Sequence, residues 1–195
     1  MKKKKFLSLC FALLLAASSV AANAAGRGLV VPSASCVSNL NPLLENYREG
    51  AIMLNPLYDP LYVKDVGETR FYLSKSYEVS ADGTVFTLTL KDGLKWHDGE
   101  PITADDVIFT MAVNADTNNG AGNTNVVIVN DRPVAFEKVD RLTVRITLPV
   151  ASASYSDVLG SLTLIPAHVF GCDTNIVNVP ANLRGVGSGP YKLKE

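Results

Sequence analysis

The clearest alternation of apolar and polar positions runs from Thr84 to Leu90. Phe86, Leu88 and Leu90 fall on one side, and Val85, Thr87 and Thr89 on the other. Period two predicts a half-buried antiparallel strand. It is bracketed by Ala81-Asp82-Gly83 and Lys91-Asp92-Gly93, turns in which Gly permits a positive φ. Leu94 to Trp96 reads as a short strand and His97-Asp98-Gly99 as a third turn. The period then becomes helical. Ala104, Val107, Ile108, Met111 and Ala115 make one apolar stripe, with Thr103 as N-cap and Asp105 and Asp106 in the first turn. Thr103 and Asp106 have capping-box spacing, and Asn118-Asn119-Gly120 ends the helix.

Weaker patterns flank this unit. Phe71 to Ser80 alternates loosely. Val126 to Val129, Ala135 to Val139 and Leu142 to Leu148 read as strands, the last two joined by a tight hairpin at Asp140-Arg141. Asp116 to Asn125 is a polar loop. Gly28 to Pro32 has the composition of a buried strand. Pro42 keeps Asn41 extended, so 39–45 reads as a loop laid across something. Ala51 to Val63, interrupted by Pro56 and Pro60, reads as a short helix and then an extended piece, with Tyr58 and Tyr62 packing at the core edge. Ser152 to Leu164 reads as a helix, Ile165-Pro166 as the start of a helical turn to Phe170, and the segment to Arg184 as loop. Gly185 to Gly189 leads into a strand beginning at Tyr191. The fold class is mixed α/β, with α+β character.

The N-terminus has a different pattern. Lys2 to Lys5 precede an apolar run, Phe6 to Ala17, and Ala22-Asn23-Ala24 has the small-x-small form of a signal-peptidase site. The run is too short to span a bilayer, and Cys10 and Cys36 are wrongly placed for lipid attachment. A secretory signal over 1–24, cleaved after about Ala24, is expected, and with it a periplasmic or external location. Cleavage removes four lysines and no acid, taking the formal charge from −1 to −5. The mature chain then has no basic patch for nucleic acid. Cys36 and Cys172 remain, able to pair in an oxidising compartment or to stay as two thiols.

Candidate chemistry is sparse. His97, Asp98, Glu100, Asp105 and Asp106 are neighbours, but adjacent residues on a tight turn point apart, and a metal site needs convergent ligands. The bland assignment is that Trp96 packs, His97 and Asp98 hold a turn, and the aspartates start the helix. The glycines at 185–189 lack the following helix that a phosphate loop requires, and no nucleophile elbow is present. No catalytic residue, metal or cofactor is expected.

Ser80-Ala81-Asp82-Gly83, Phe86 to Lys91 and Leu94 to Val107 resemble, in one register, the extracellular solute-binding proteins of family 5, the peptide, dipeptide and nickel class serving ABC importers. Leu40-Asn41-Pro42, Leu57 to Leu61, Ile165-Pro166-Ala167-His168-Val169 and Gly187 to Leu193 resemble flanking elements of that family in the right order, with Ala167 where the family has lysine. The resemblance implies a type II clamshell that closes on a solute. Residues 25–195 would be the N-terminal portion of its solute-binding domain, with 51–150 as a small inserted subdomain of the first lobe and the second lobe absent. The implied partners are a peptide or other small solute, an inner-membrane permease and its ATPase. The implied ligand contacts are Asn41, Pro42 and Leu43, where the first lobe lines the cleft. Two alternatives stay open: a truncated, non-transport product acting as an interaction or chaperone-like module, and an exported hydrolase.

Overall fold

The computed structural model describes residues 28, 30, 39–45 and 48–194. The expected signal segment and Cys36 lie outside them. So does most of the apolar run at 28–32, of which Val30 is exposed. The described elements are helix α1 (Arg48–Leu54), strands β1 (Tyr62–Asp65), β2 (Glu68–Phe71), β3 (Ser74–Val79) and β4 (Val85–Leu90), and helix α2 (Ala104–Ala115). Strands β5 (Ile128–Val129), β6 (Arg132–Pro133), β7 (Ala135–Lys138) and β8 (Thr143–Thr147) follow, then helix α3 (Tyr155–Gly160). Short 3-10 turns occupy Thr117–Asn119, Thr124–Val126, Ala167–Val169 and Pro180–Leu183.

The main sheet has four antiparallel strands in the order β3-β4-β8-β7. Phe86 pairs with Ile146 and Leu88 with Val144. Phe86, Leu88 and Leu90 are buried and the intervening residues only partly so, as the alternation requires. The Ser80 to Thr84 turn is held by the Asp82 carboxylate, which accepts from the Ser80 hydroxyl at 2.5 Å and from Thr84 N at 3.1 Å. Gly83 has φ 71° there.

Helix α2 lies against β7 and β8, and its capping box is complete. Ala104, Val107 and Met111 join Trp96, Ile102, Leu88, Val144 and Ile146 in the main core. The opposite side is also covered: Phe109 and Val113 pack with Leu43, Ile165, Ala167 and Ile176 in a second cluster. The single stripe expected from the sequence is therefore too narrow. Of the expected stripe Ala115 is exposed and Ile108 only half-buried, while Phe109 and Val113, outside it, are covered by the 39–45 loop, the 165–170 turn and the 171–184 loop.

A helix buried on two sides carries polar residues between its apolar faces. Asp106, Thr110 and Asn114, spaced by four, are all buried. Asp106 accepts from Thr103 N at 2.9 Å and from Ala167 N at 3.0 Å. The Thr110 hydroxyl accepts from Ile165 N at 3.1 Å. Asn114 Nδ2 donates to Thr110 O at 2.8 Å. Burial pushes the Asp106 carboxyl above its ordinary value, and the Thr103 and Ala167 amides offset this only in part.

Several boundaries differ from the sequence reading. Leu94 to Trp96 forms one bridge, Lys95 to Pro101, in place of a strand. The expected strand at Val126 to Val129 begins as a 3-10 turn and is a strand only at Ile128–Val129. The helix expected over Ser152 to Leu164 is confined to α3, because Leu162 accepts from Leu61 N and Thr163 bridges Pro60 in extended form. Tyr191 to Lys194 is not a strand; Tyr191 N donates to Pro56 O at 3.1 Å. Tyr62 is fully buried, stacks on Tyr77 at 4.7 Å and donates to Ser156 O at 2.6 Å. It is a core residue, deeper than the expected core edge.

Asp106→Ala leaves the buried Ala167 N–H and the partly buried Thr103 N–H without this acceptor and is expected to lower stability by about 3 kcal/mol in urea unfolding. A folded pKa above the unfolded one makes the charged form a burden that is relieved as pH falls. The stability of the parent relative to Asp106→Asn should therefore rise as pH drops through the raised pKa towards the ordinary 3.8. A difference independent of pH would refute this account of the buried carboxylate.

Candidate functional site

The 39–45 turn is built by asparagines. Asn39 Oδ1 accepts from Asn41 N at 3.0 Å, and Asn41 Oδ1 accepts from Leu43 N at 3.0 Å, local bonds that compete with regular structure. Asn41 O accepts from Leu44 N and Glu45 N. Asn41 Nδ2 reaches across the fold to Asn182 Oδ1 at 2.9 Å, and Leu40 N donates to Asn182 O at 2.7 Å. Of the residues expected to contact ligand, Asn41 is 2% exposed and Leu43 is 1% exposed, within the second cluster. Only Pro42 is partly open to solvent. The void beside Asn41 measures about 10 Å³, room for one water molecule. The turn leaves Pro42 partly at the surface and uses its amide side chains and most of its backbone groups internally.

Asn182 continues the arrangement. Its Nδ2 donates to Ile176 O at 2.8 Å, while Ile176 N donates to Asn119 Oδ1 at 3.0 Å. Both backbone groups of Ile176 are thus satisfied by asparagine side chains. Sequence reasoning missed Asn119 and Asn182, since each lies in a polar stretch with no local signal of burial.

The glycine-rich segment serves close backbone packing. Gly189 N donates to Leu57 O at 2.8 Å. A Cβ on Gly187 would sit 1.9 Å from Leu57 O. Ser188 Oγ accepts from Asp59 N at 3.1 Å. His97 locks the other side: its N donates to Gly187 O at 2.9 Å, its Nδ1 accepts from Gly187 N at 3.1 Å, and its Nε2 meets Gly189 O at 2.9 Å. A ring that accepts at Nδ1 and donates at Nε2 is a neutral imidazole with both nitrogens satisfied. Lys192 Nζ donates to His97 O at 2.6 Å.

Asp98 meets His168 Nε2 at 2.7 Å, tying the 165–169 segment to the turn before α2. Partial burial pushes the Asp98 carboxyl up, but the bonds from His168 and Glu100 N outweigh it, leaving it below its ordinary value. Among the described residues no three His, Cys, Asp or Glu side chains converge. Cys172 is exposed and unpaired among the described residues. An open groove of about 530 Å³ lies between Tyr77, Val79 and Phe86 on one wall and Ala151, Ala153 and Ser156 on the other. Nothing in the local pattern announced it.

A model of the family described as bacterial extracellular solute-binding proteins, family 5 Middle, matches residues 70–195. The chain is 33% identical over 135 residues to a probable ABC transporter-binding protein of Deinococcus radiodurans, covering 69% of this chain and 22% of the relative. It is 29% identical over 202 residues to the oligopeptide-binding protein AppA of Bacillus subtilis, covering 97% and 36%. Among solved structures it is similar to the ABC transporter substrate binding protein CtaP of Listeria monocytogenes, with a TM-score of 0.74 and 37% identity over 80% of this chain and 32% of that one. The chain thus spans between about a fifth and just over a third of the length of these relatives.

Asn41→Ala and Asn182→Ala are each expected to lower stability by about 2 kcal/mol, and the double variant by about 1 kcal/mol less than their sum. Additive effects in a urea double-mutant cycle would show that the buried amide pair is not a unit. Gly187→Ala should lose at least about 3 kcal/mol, since backbone on both sides of the contact must move.

Proposed function

The chain belongs to the bacterial extracellular solute-binding proteins of family 5, and on that premise we propose that it is the N-terminal portion of a substrate-binding component of an ABC importer. In this reading it helps capture peptides or similar small solutes. The family is one of solute-binding proteins, not of enzymes. The observation that carries the proposal is the match over residues 70–195, supported by relatives named for peptide binding. In this reading residues 1–24 are a signal removed on export, the protein acts in the periplasm, and its partners are an inner-membrane permease and ATPase. In this reading the ligand-facing part of this chain is the 39–45 turn, which has Pro42 partly open to solvent while Asn41 and Leu43 hold it from within.

The internal engagement of His97 argues against the hydrolase alternative. An imidazole with both nitrogens committed to Gly187 and Gly189 has none left to act as a general base.

The proposal is tested on DNA and protein together. The sequence beyond codon 195 is expected to encode the rest of a solute-binding protein in some frame, with permease and ATPase genes nearby; flanking DNA with neither would sink it. The 195-residue chain alone is expected to show no thermal shift with a mixed peptide pool, because a clamshell binder needs both walls of its cleft. A clear shift would locate a complete site within this chain. No turnover of ester, peptide or phosphate substrates is expected, and activity abolished in His97→Ala would restore the hydrolase reading.

A further inference from the structure

Asn119 is followed by Gly120, and beyond its two chain neighbours no atom lies within 4 Å of the space a Cβ on Gly120 would fill. In an unconstrained Asn-Gly pair the glycine nitrogen reaches the preceding side-chain amide with no Cβ in the way. Here that reaction is blocked three times over. Asn119 belongs to a 3-10 turn whose helical backbone holds the Gly120 nitrogen away from the Asn119 Cγ. The side chain is 6% exposed. Its amide is also fixed by three bonds: Nδ2 to Val113 O at 2.9 Å, Nδ2 to Thr174 O at 2.7 Å, and Oδ1 from Ile176 N at 3.0 Å.

Two of those three bonds come from the 171–184 segment, which is weakly held. Asn175, Val177, Asn178, Pro180, Leu183 and Arg184 are exposed, while Ile176 and Asn182 are its buried anchors. A stretch with so few buried apolar contacts opens at a fraction of the global unfolding free energy.

We propose that Asn119 is a deamidation site gated by opening of the 171–184 segment. When the segment lifts and the turn frays, the Gly120 nitrogen gives its proton to solvent base and bonds to Asn119 Cγ. The Cγ–Nδ2 bond breaks and ammonia leaves, giving a cyclic imide. Water then adds to one of the two imide carbonyls, producing aspartate or isoaspartate at 119. No electrons are gained or lost. The product cannot reform the clamp. A carboxylate oxygen now stands where Nδ2 donated to the Val113 and Thr174 carbonyls, and acceptor faces acceptor. The Ile176 anchor weakens, and with it the Asn182–Asn41 bond next in line. Each opening therefore risks a one-way loss of the second layer over α2.

The test incubates the full chain at mildly alkaline pH, in native buffer and in unfolding urea. Peptide mass spectrometry follows residue 119, and hydrogen exchange follows the Ile176 amide. Conversion is expected to be at least about tenfold slower in the native chain, and to accelerate in step with Ile176 exchange as sub-denaturing urea is added. Asn119→Asp should lower the Tm and speed exchange at Ile176. Equal rates in native and unfolded chains overturn the proposal, as does no conversion in the unfolded chain. An Asn119→Asp variant that keeps the parent's Tm and its Ile176 protection overturns it too.

Discussion

The arrangement depends on the buried polar row of α2. Leu164, Ile165 and Ala167 are buried, but among the described residues their segment has no sheet partner to take its N–H groups. Leaving such donors unpaired inside the protein costs on the order of 1–3 kcal/mol each. Thr110 and Asp106, one helical turn apart, accept from Ile165 and Ala167. A helix thus replaces a neighbouring strand as the hydrogen-bonding partner of extended backbone. Once 165–167 is fixed, Phe109, Val113 and Ile165 offer an apolar surface on which Leu43 and Ile176 close. The order of dependence runs from sheet to helix, from helix to the 165–167 segment, and from there to the two asparagine-held segments on the outside.

The visible ion pairs contribute little by comparison. Lys138–Asp105, Arg141–Asp92 and Arg145–Glu137 are short, but all their side chains are well exposed. Pairs of this kind contribute about 0–1 kcal/mol each, because solvent screens the attraction and ordering long side chains opposes it. They dress the solvent side of the sheet and the helix start. The buried amides and the Asp106 carboxylate carry more, since each would strand a polar group in a dry interior if its partner were lost.

How far the sequence could be read follows from the same distinction. Local features were legible where local chemistry decides them. The alternation of β4, the Asp82-Gly83 turn, the Thr103–Asp106 capping box and the Asp140-Arg141 hairpin each rest on residues within a few positions of one another. Features made by distant partners were not. Burial of Asn119 and Asn182, the two-sided packing of α2 and the early end of α3 are all imposed by segments tens of positions away. A polar stretch such as 116–125 reads as loop because its composition is that of a loop; its asparagine becomes interior only when 174–176 arrives over it. At the candidate site, the turn at Asn41 and Pro42 was foreseen, but the inward use of its amide needed Asn182 in place.

The stretch from Ser80 to Met111 lies within the region that matches the family model, and its polar side chains serve the scaffold. Asp82 is occupied by Ser80 and Thr84, His97 by Gly187 and Gly189, Asp98 by His168, and Asp106 by Thr103 and Ala167. These four polar side chains direct their bonding at this chain's own backbone or side chains, whereas the buried Trp96 indole N–H has no hydrogen-bond partner among the described residues. Such residues fix turn angles, the entry of a helix and the approach of one segment to another, and these are requirements of the scaffold whatever solute is bound. Ligand choice requires polar groups left unsatisfied by the fold and aimed into a cleft. In the 39–45 turn even the backbone is largely committed: Leu40, Asn41, Leu43, Leu44 and Glu45 donate their N–H groups, and Leu40, Asn41 and Leu43 use their carbonyls, within the chain.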